Sequence, residues 1–166
     1  MQSELNISLK DIQENWKILN KLSYNTASAV VKANAYGFGL IKVSEALHKN
    51  GCNFFYVAQL EEGIKLRKKL KSKKVNIAIF EGLIHDFHYY QKYRLLPIVN
   101  DYNQIVKLKE FNTLNENKTI KCILNFDTGM NRLGFEKKEI KKLSDNLENF
   151  KNVDIIFFDG RSHQNK

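Results

Sequence analysis

Alternation is the feature that most limits what this chain can become. Six short runs of apolar, β-branched and aromatic residues punctuate it: Ala27–Ala33, Asn53–Gln59, Val75–Phe80, Leu95–Val99, Ile120–Phe126 and Val153–Phe158. Between them lie longer stretches of helical period. Ahead of the first run, Ser8 can cap a helix with Asp11 three residues on as its capping-box partner, and Ile12, Trp16 and Leu19 give one apolar face. Leu40, Val43 and Leu47 share a face in the next helix, Leu60 and Ile64 begin another, and Ile105 and Val106 mark a further one. Ile140, Leu143 and Leu147 complete the series, while the stretch around Ile84–Lys92 is the weakest because His and Tyr crowd it. Strands that are apolar on both faces and separated by helices predict an α/β fold with a parallel sheet covered on both sides. An open doubly wound sheet and part of a (β/α) barrel both satisfy this pattern. A closed eight-stranded barrel needs ~200 residues or more, and the chain has 166.

Six glycines, Gly37, Gly39, Gly82, Gly129, Gly134 and Gly160, follow the carboxyl ends of the predicted strands. Both α/β architectures bind ligands at that edge, although glycine also simply marks loops.

Bulk composition narrows the partners. No apolar run approaches the ~20 residues of a membrane-spanning helix, and the first residues lack an apolar signal core. A soluble cytoplasmic protein with no membrane partner is expected. Cys52 and Cys122 lie in apolar stretches without metal-type spacing, so two reduced buried thiols and no metal site are expected. The formal net charge is +9. Its densest block, Lys65–Lys74, has no interleaved aromatic residue to stack on bases and falls at a predicted helix end, where cations complement the dipole. That argues for a solvated face and against a nucleic-acid partner.

The segment Val30-Val31-Lys32-Ala33-Asn34-Ala35-Tyr36-Gly37-Phe38-Gly39 carries the candidate chemistry. Lys32 closes the first apolar run. Spacing alone reads it as a structural lysine. An amine held among apolar neighbours also loses its charge more readily, and a neutral amine condenses with aldehydes.

Ala29–Gly37 closely resembles the pyridoxal phosphate attachment motif of the alanine racemases. Phe126-Asp127-Thr128-Gly129-Met130-Asn131-Arg132-Leu133-Gly134-Phe135 resembles that family's motif after the fifth barrel strand. Val57–Gly63 and Leu95–Asn100 agree more weakly. The resemblance runs to about Phe158 and implies a pyridoxal 5'-phosphate-dependent amino-acid racemase that interconverts L-alanine and D-alanine for peptidoglycan synthesis. By that likeness the fold is a partial (β/α)8 TIM barrel of about six βα units, lacking the last strands and the C-terminal β domain. Residues 1–158 are then the incomplete cofactor-binding barrel and 159–166 an atypical tail. Lys32 is implied as the cofactor-bearing catalytic base facing the D-enantiomer. Tyr36 is implied as a donor to the cofactor phosphate, and Arg132 as a contact to both the cofactor and the substrate carboxylate. Asp127 reads as a structural hydrogen-bonding residue, and His85 and His88 as helix residues without a role.

Three departures stand out. Phe38 replaces the family's usual His. Asn125 replaces a lysine that many members modify to orient the arginine, so Arg132 must be positioned by something else, such as an anion. The family's remaining strands, its C-terminal domain and the opposing tyrosine that a partner subunit delivers have no counterpart, and Ser162-His163 sits later than the family's Ser-His pair. A truncated form of low or no activity alone is therefore expected, with unpaired strand edges. The homodimer of the full-length family is uncertain for this chain. Two readings compete: a racemase of another amino acid, and a non-catalytic pyridoxal phosphate-binding regulatory barrel, a class that lacks the Tyr36-Gly37 and Asp127–Met130 blocks in this form.

Overall fold

The computed structural model describes residues 4–157. The end of the sixth predicted run at Phe158, together with Gly160, Ser162 and His163, lies outside the described residues. Strands β1 (Ala29–Val30), β2 (Phe54–Val57), β3 (Asn76–Ile79), β4 (Leu96–Val99), β5 (Cys122–Leu124) and β6 (Ile155–Phe157) follow one another in chain order across the sheet. Helix α1 (Leu9–Leu22) precedes them, and between them lie α2 (Leu40–Lys49), α3 (Leu60–Lys69), α4 (Phe87–Tyr93), α5 (Tyr102–Leu114) and α6 (Lys137–Asp145). Sequential parallel strands joined through helices are the topology of barrel-type βα folds. The chain forms two compact units, one ending at Ala78 and the other starting at Ile79.

In the first unit β1 pairs with β2 in parallel, Ala29 beside Phe55 and Val30 beside Tyr56. Phe55, Tyr56 and Val57 are buried in succession, as the continuous apolar run predicts. Ser8 caps α1, its Oγ accepting from Asp11 N at 3.3 Å. Trp16 is buried on that helix, but Leu19 is 60% exposed and does not share its buried face. Gln13 ties α1 to α2 by donating to Ala46 O at 2.9 Å. Leu40, Val43 and Leu47 are all buried along α2. At the end of α3 the basic block does two things. Arg67, Lys68 and Lys69 fill the last turn, and Arg67 donates to Ser72 O and Val75 O at 3.0 and 2.8 Å, closing the loop that leads into β3.

The second unit pairs β4 with β5 and β5 with β6, all parallel. Asn112 on α5 is 1% exposed and spans the loop before β5, donating to Ile120 O at 3.0 Å and accepting from Ile120 N at 2.8 Å. The predicted helix through Leu147 stops earlier. Asn146 caps α6 by donating its backbone N–H to Leu143 O and Ser144 O, and Leu147 is 56% exposed in a short 3₁₀ turn. His85 precedes α4 instead of lying on it, and Asp86 caps the helix through His88 N at 2.9 Å.

Candidate functional site

Lys32 does not close a strand. The first predicted run, Ala27–Ala33, shrinks to a two-residue strand, and Lys32 follows it in a loop, half-buried. What comes next is a left-handed turn: Ala33, Asn34, Ala35 and Tyr36 all have φ between 51° and 55°. Left-handed backbone costs an L-residue roughly 1–2 kcal/mol, and four in a row is a conformation that only a surrounding framework sustains. The framework is visible. Val31 N donates to Tyr56 O at 2.8 Å, and Ala35 N donates back to Val31 O at 2.9 Å. Gly37, at φ 88°, closes the turn through Ala33 O at 3.1 Å, and Gly39 N reaches Asn34 O at 2.9 Å. Asn34 Oδ1 accepts from Leu40 N at 2.9 Å and so starts α2. Tyr36 leaves this turn 62% exposed, and a Cβ at Gly37 or Gly39 would meet no atom within 4 Å, so the loop opens onto free space. Phe38 is 46% exposed there.

Sequence reasoning passed over Glu62. From α3 its Oε1 accepts from Asn34 N at 2.9 Å and its Oε2 from Ala58 N at 3.0 Å. The residue lies in a block that stands out in the sequence, yet nothing in the pattern pairs a carboxylate with a backbone amide 28 residues away.

Arg132 belongs to the second unit, on the loop after β5. The loop's neck is tied by Phe135 N to Asn125 O at 2.8 Å and Asp127 N to Phe135 O at 3.1 Å. Gly134, at φ 114°, fits that neck because a Cβ there would lie 2.7 Å from Asp127 N. Asp127 is structural, as expected. Its Oδ1 accepts from Gly129 N at 2.9 Å and Asn131 N at 3.0 Å, and these bonds hold its carboxyl below the ordinary value. Arg132 is exposed on this loop and lines a cavity of about 740 Å³ with Thr128, Gly129 and Lys137. Asn125 is engaged elsewhere. Its Nδ2 donates to Asn100 Oδ1 at 2.9 Å, and Asn100 Nδ2 in turn donates to Phe80 O and Ile98 O at 3.1 and 3.0 Å.

Parallel βα units, with Lys32 and Tyr36 on the loop after β1 in the first compact unit and Arg132 on the loop after β5 in the second, are the architecture of the barrel class. The family described as alanine racemase, N-terminal domain, matches residues 7–158, and the chain belongs to that family. It is 37% identical over 155 residues to the alanine racemase of Rickettsia prowazekii, covering 92% of this chain and 38% of that one. To the alanine racemase of Rickettsia bellii it is 41% identical over 130 residues, 78% of this chain and 31% of that one. The alanine racemase of Bartonella henselae, solved with covalently bound pyridoxal phosphate, superposes with a TM-score of 0.83 at 36% identity, over 90% of this chain and 42% of that one. The chain thus spans between about a third and two-fifths of the length of these relatives.

Proposed function

We propose that this chain supplies the lysine-bearing barrel of a pyridoxal 5'-phosphate-dependent alanine racemase, acting in the cytoplasm to provide D-alanine for peptidoglycan. The observation that carries the reading is the loop after β1: a half-buried primary amine at Lys32 followed by a left-handed turn that presents Tyr36 and two glycines to open space. The donor set suits the cofactor. An amine can hold an aldehyde, a phenol can donate to a phosphate, and a guanidinium fork can pair with a carboxylate. Pyridoxal phosphate, when bound, supplies an electron sink that acidifies the substrate's α-carbon. Lys32 Nζ would hold the cofactor aldehyde until the substrate amine displaced it and, once freed, would move the α-proton on the D-face. Tyr36 would anchor the phosphate, and Arg132 would orient the substrate carboxylate. The opposing base would come from a partner subunit that carries the family's C-terminal domain, so a dimer is part of the reading.

The test is borohydride reduction of the chain mixed with pyridoxal phosphate, followed by peptide mass mapping. The label is expected on Lys32, absent from Lys32→Ala, and diminished when alanine is present to compete for the cofactor. Competition by serine or lysine but not alanine would reassign the substrate, and a Lys32 label that no amino acid displaces would favour the regulatory barrel. A label elsewhere, or none, overturns the reading.

A further inference from the structure

The left-handed turn after Lys32 is disfavoured backbone, and Asn34 at its centre is pinned at three atoms. Its carbonyl accepts from Gly39 N at 2.9 Å, its Oδ1 accepts from Leu40 N at 2.9 Å, and its N–H donates to Glu62 Oε1 at 2.9 Å. The first two partners belong to the continuation of the same loop. Glu62 comes from α3, and its second oxygen accepts from Ala58 N at 3.0 Å, just past β2. One carboxylate therefore bridges the loop after β1 to the loop after β2, whose parent strands are paired. Both oxygens are needed, and each bond has a charged acceptor, the stronger kind. An amide in the same place offers one acceptor and turns an NH₂ group against the other N–H.

We propose that Glu62 is a positioning residue: by accepting from Asn34 N and Ala58 N it holds the Lys32–Gly37 turn in the one conformation in which Lys32 captures pyridoxal phosphate and Tyr36 meets its phosphate. The inference rests on the cofactor reading above and deepens it. Glu62 acts through the backbone and touches neither cofactor nor substrate.

The full chain and its Glu62→Gln variant are compared with pyridoxal phosphate as the probe. Three readouts are taken: the concentration giving half-maximal borohydride label at Lys32, the induced circular dichroism of the visible band recorded before reduction at concentrations that give equal label, and amide exchange across residues 31–39. The variant is expected to raise the half-saturating concentration about tenfold, the effect of losing one charge-assisted bond. It is expected to lower the induced dichroism per label and to speed exchange at Asn34. Loss of fold stability alone would not change the dichroism of molecules that carry the label. If Glu62→Gln does not fold, Glu62→Asp decides, because it keeps the charge on an arm too short to span both amides. Equal half-saturation and equal dichroism in wild type and variant overturn the proposal while leaving the cofactor reading intact. A wild-type chain that takes no label at Lys32 defeats the cofactor reading, and the role of Glu62 with it.

Discussion

Asp127 organises the Arg132 loop with a single carboxylate oxygen that collects the N–H groups of Gly129 and Asn131. These bonds favour the ionised form, so its pKa lies below the ordinary value of 3.8. A carboxyl depressed on folding contributes order that is present above its unfolded pKa and lost as pH falls through the folded one. Amide exchange should therefore find Gly129 and Asn131 protected at pH 5 and unprotected only well below pH 4. Asp127→Asn, which removes the charge, should leave both amides weakly protected with no pH dependence over that range. Protection lost already at pH 5 in the wild type would show that another group holds the loop. Lys32, Tyr36 and Arg132 stand out in the sequence as candidates through the motifs they sit in, and the structural part played by Asp127 was legible there too. The conformation around Lys32 was not. Ala-Asn-Ala-Tyr has no glycine to announce four left-handed residues, and the carboxylate that helps to hold them is remote in sequence.

Elements were legible in proportion to their burial. Runs such as Phe54–Val57, Asn76–Ile79 and Leu96–Val99 stand out because sheets covered on both faces select continuous apolar residues. Their ends were less readable. The first strand gives way at Val31, whose carbonyl accepts from Ala35 N, and hydropathy carries no trace of that bond. Leu147 fits the period of α6, but Asn146 ends the helix before it. A buried polar residue on an apolar face is the converse case, and Asn112 shows what it is for. Its amide satisfies both backbone groups of Ile120 ahead of β5. Asn112→Ala leaves that N–H and that carbonyl buried without partners, at about 2–4 kcal/mol together. The urea midpoint should fall accordingly with an unchanged slope. Asn112→Asp retains the acceptor but sets a carboxylate oxygen against Ile120 O, so it should lose stability as well. If alanine shifts the midpoint by under half a kcal/mol, water reaches Ile120 and the bridge is dispensable.

At the scale of the whole molecule, each compact unit carries one cysteine, and both are fully buried: Cys52 in the first and Cys122 in the second. Burial raises the Cys52 thiol to about 11, opposed in part by its bond to Phe54 O. The Cys122 thiol is raised to about 12, by burial first and by the nearby Asp154 charge second. Since only the thiolate attacks alkylating reagents, a rise from 9.0 to about 11 alone lowers the reactive fraction at pH 8 about a hundredfold, and burial slows access further. The sign for stability follows from the same shift. The unfolded thiols ionise first, so stability falls as pH rises past 9 toward the folded values. Each thiol is then a reporter of its own unit. Iodoacetamide at pH 8, with labelled peptides quantified separately, should modify both cysteines at least a hundredfold more slowly in the native chain than in denaturant. Moderate urea should raise the two rates according to how readily each unit opens. Equal, slow rates that climb together would mean that the two units unfold as one. A fast native rate at either cysteine would mean that the packing around it opens without unfolding.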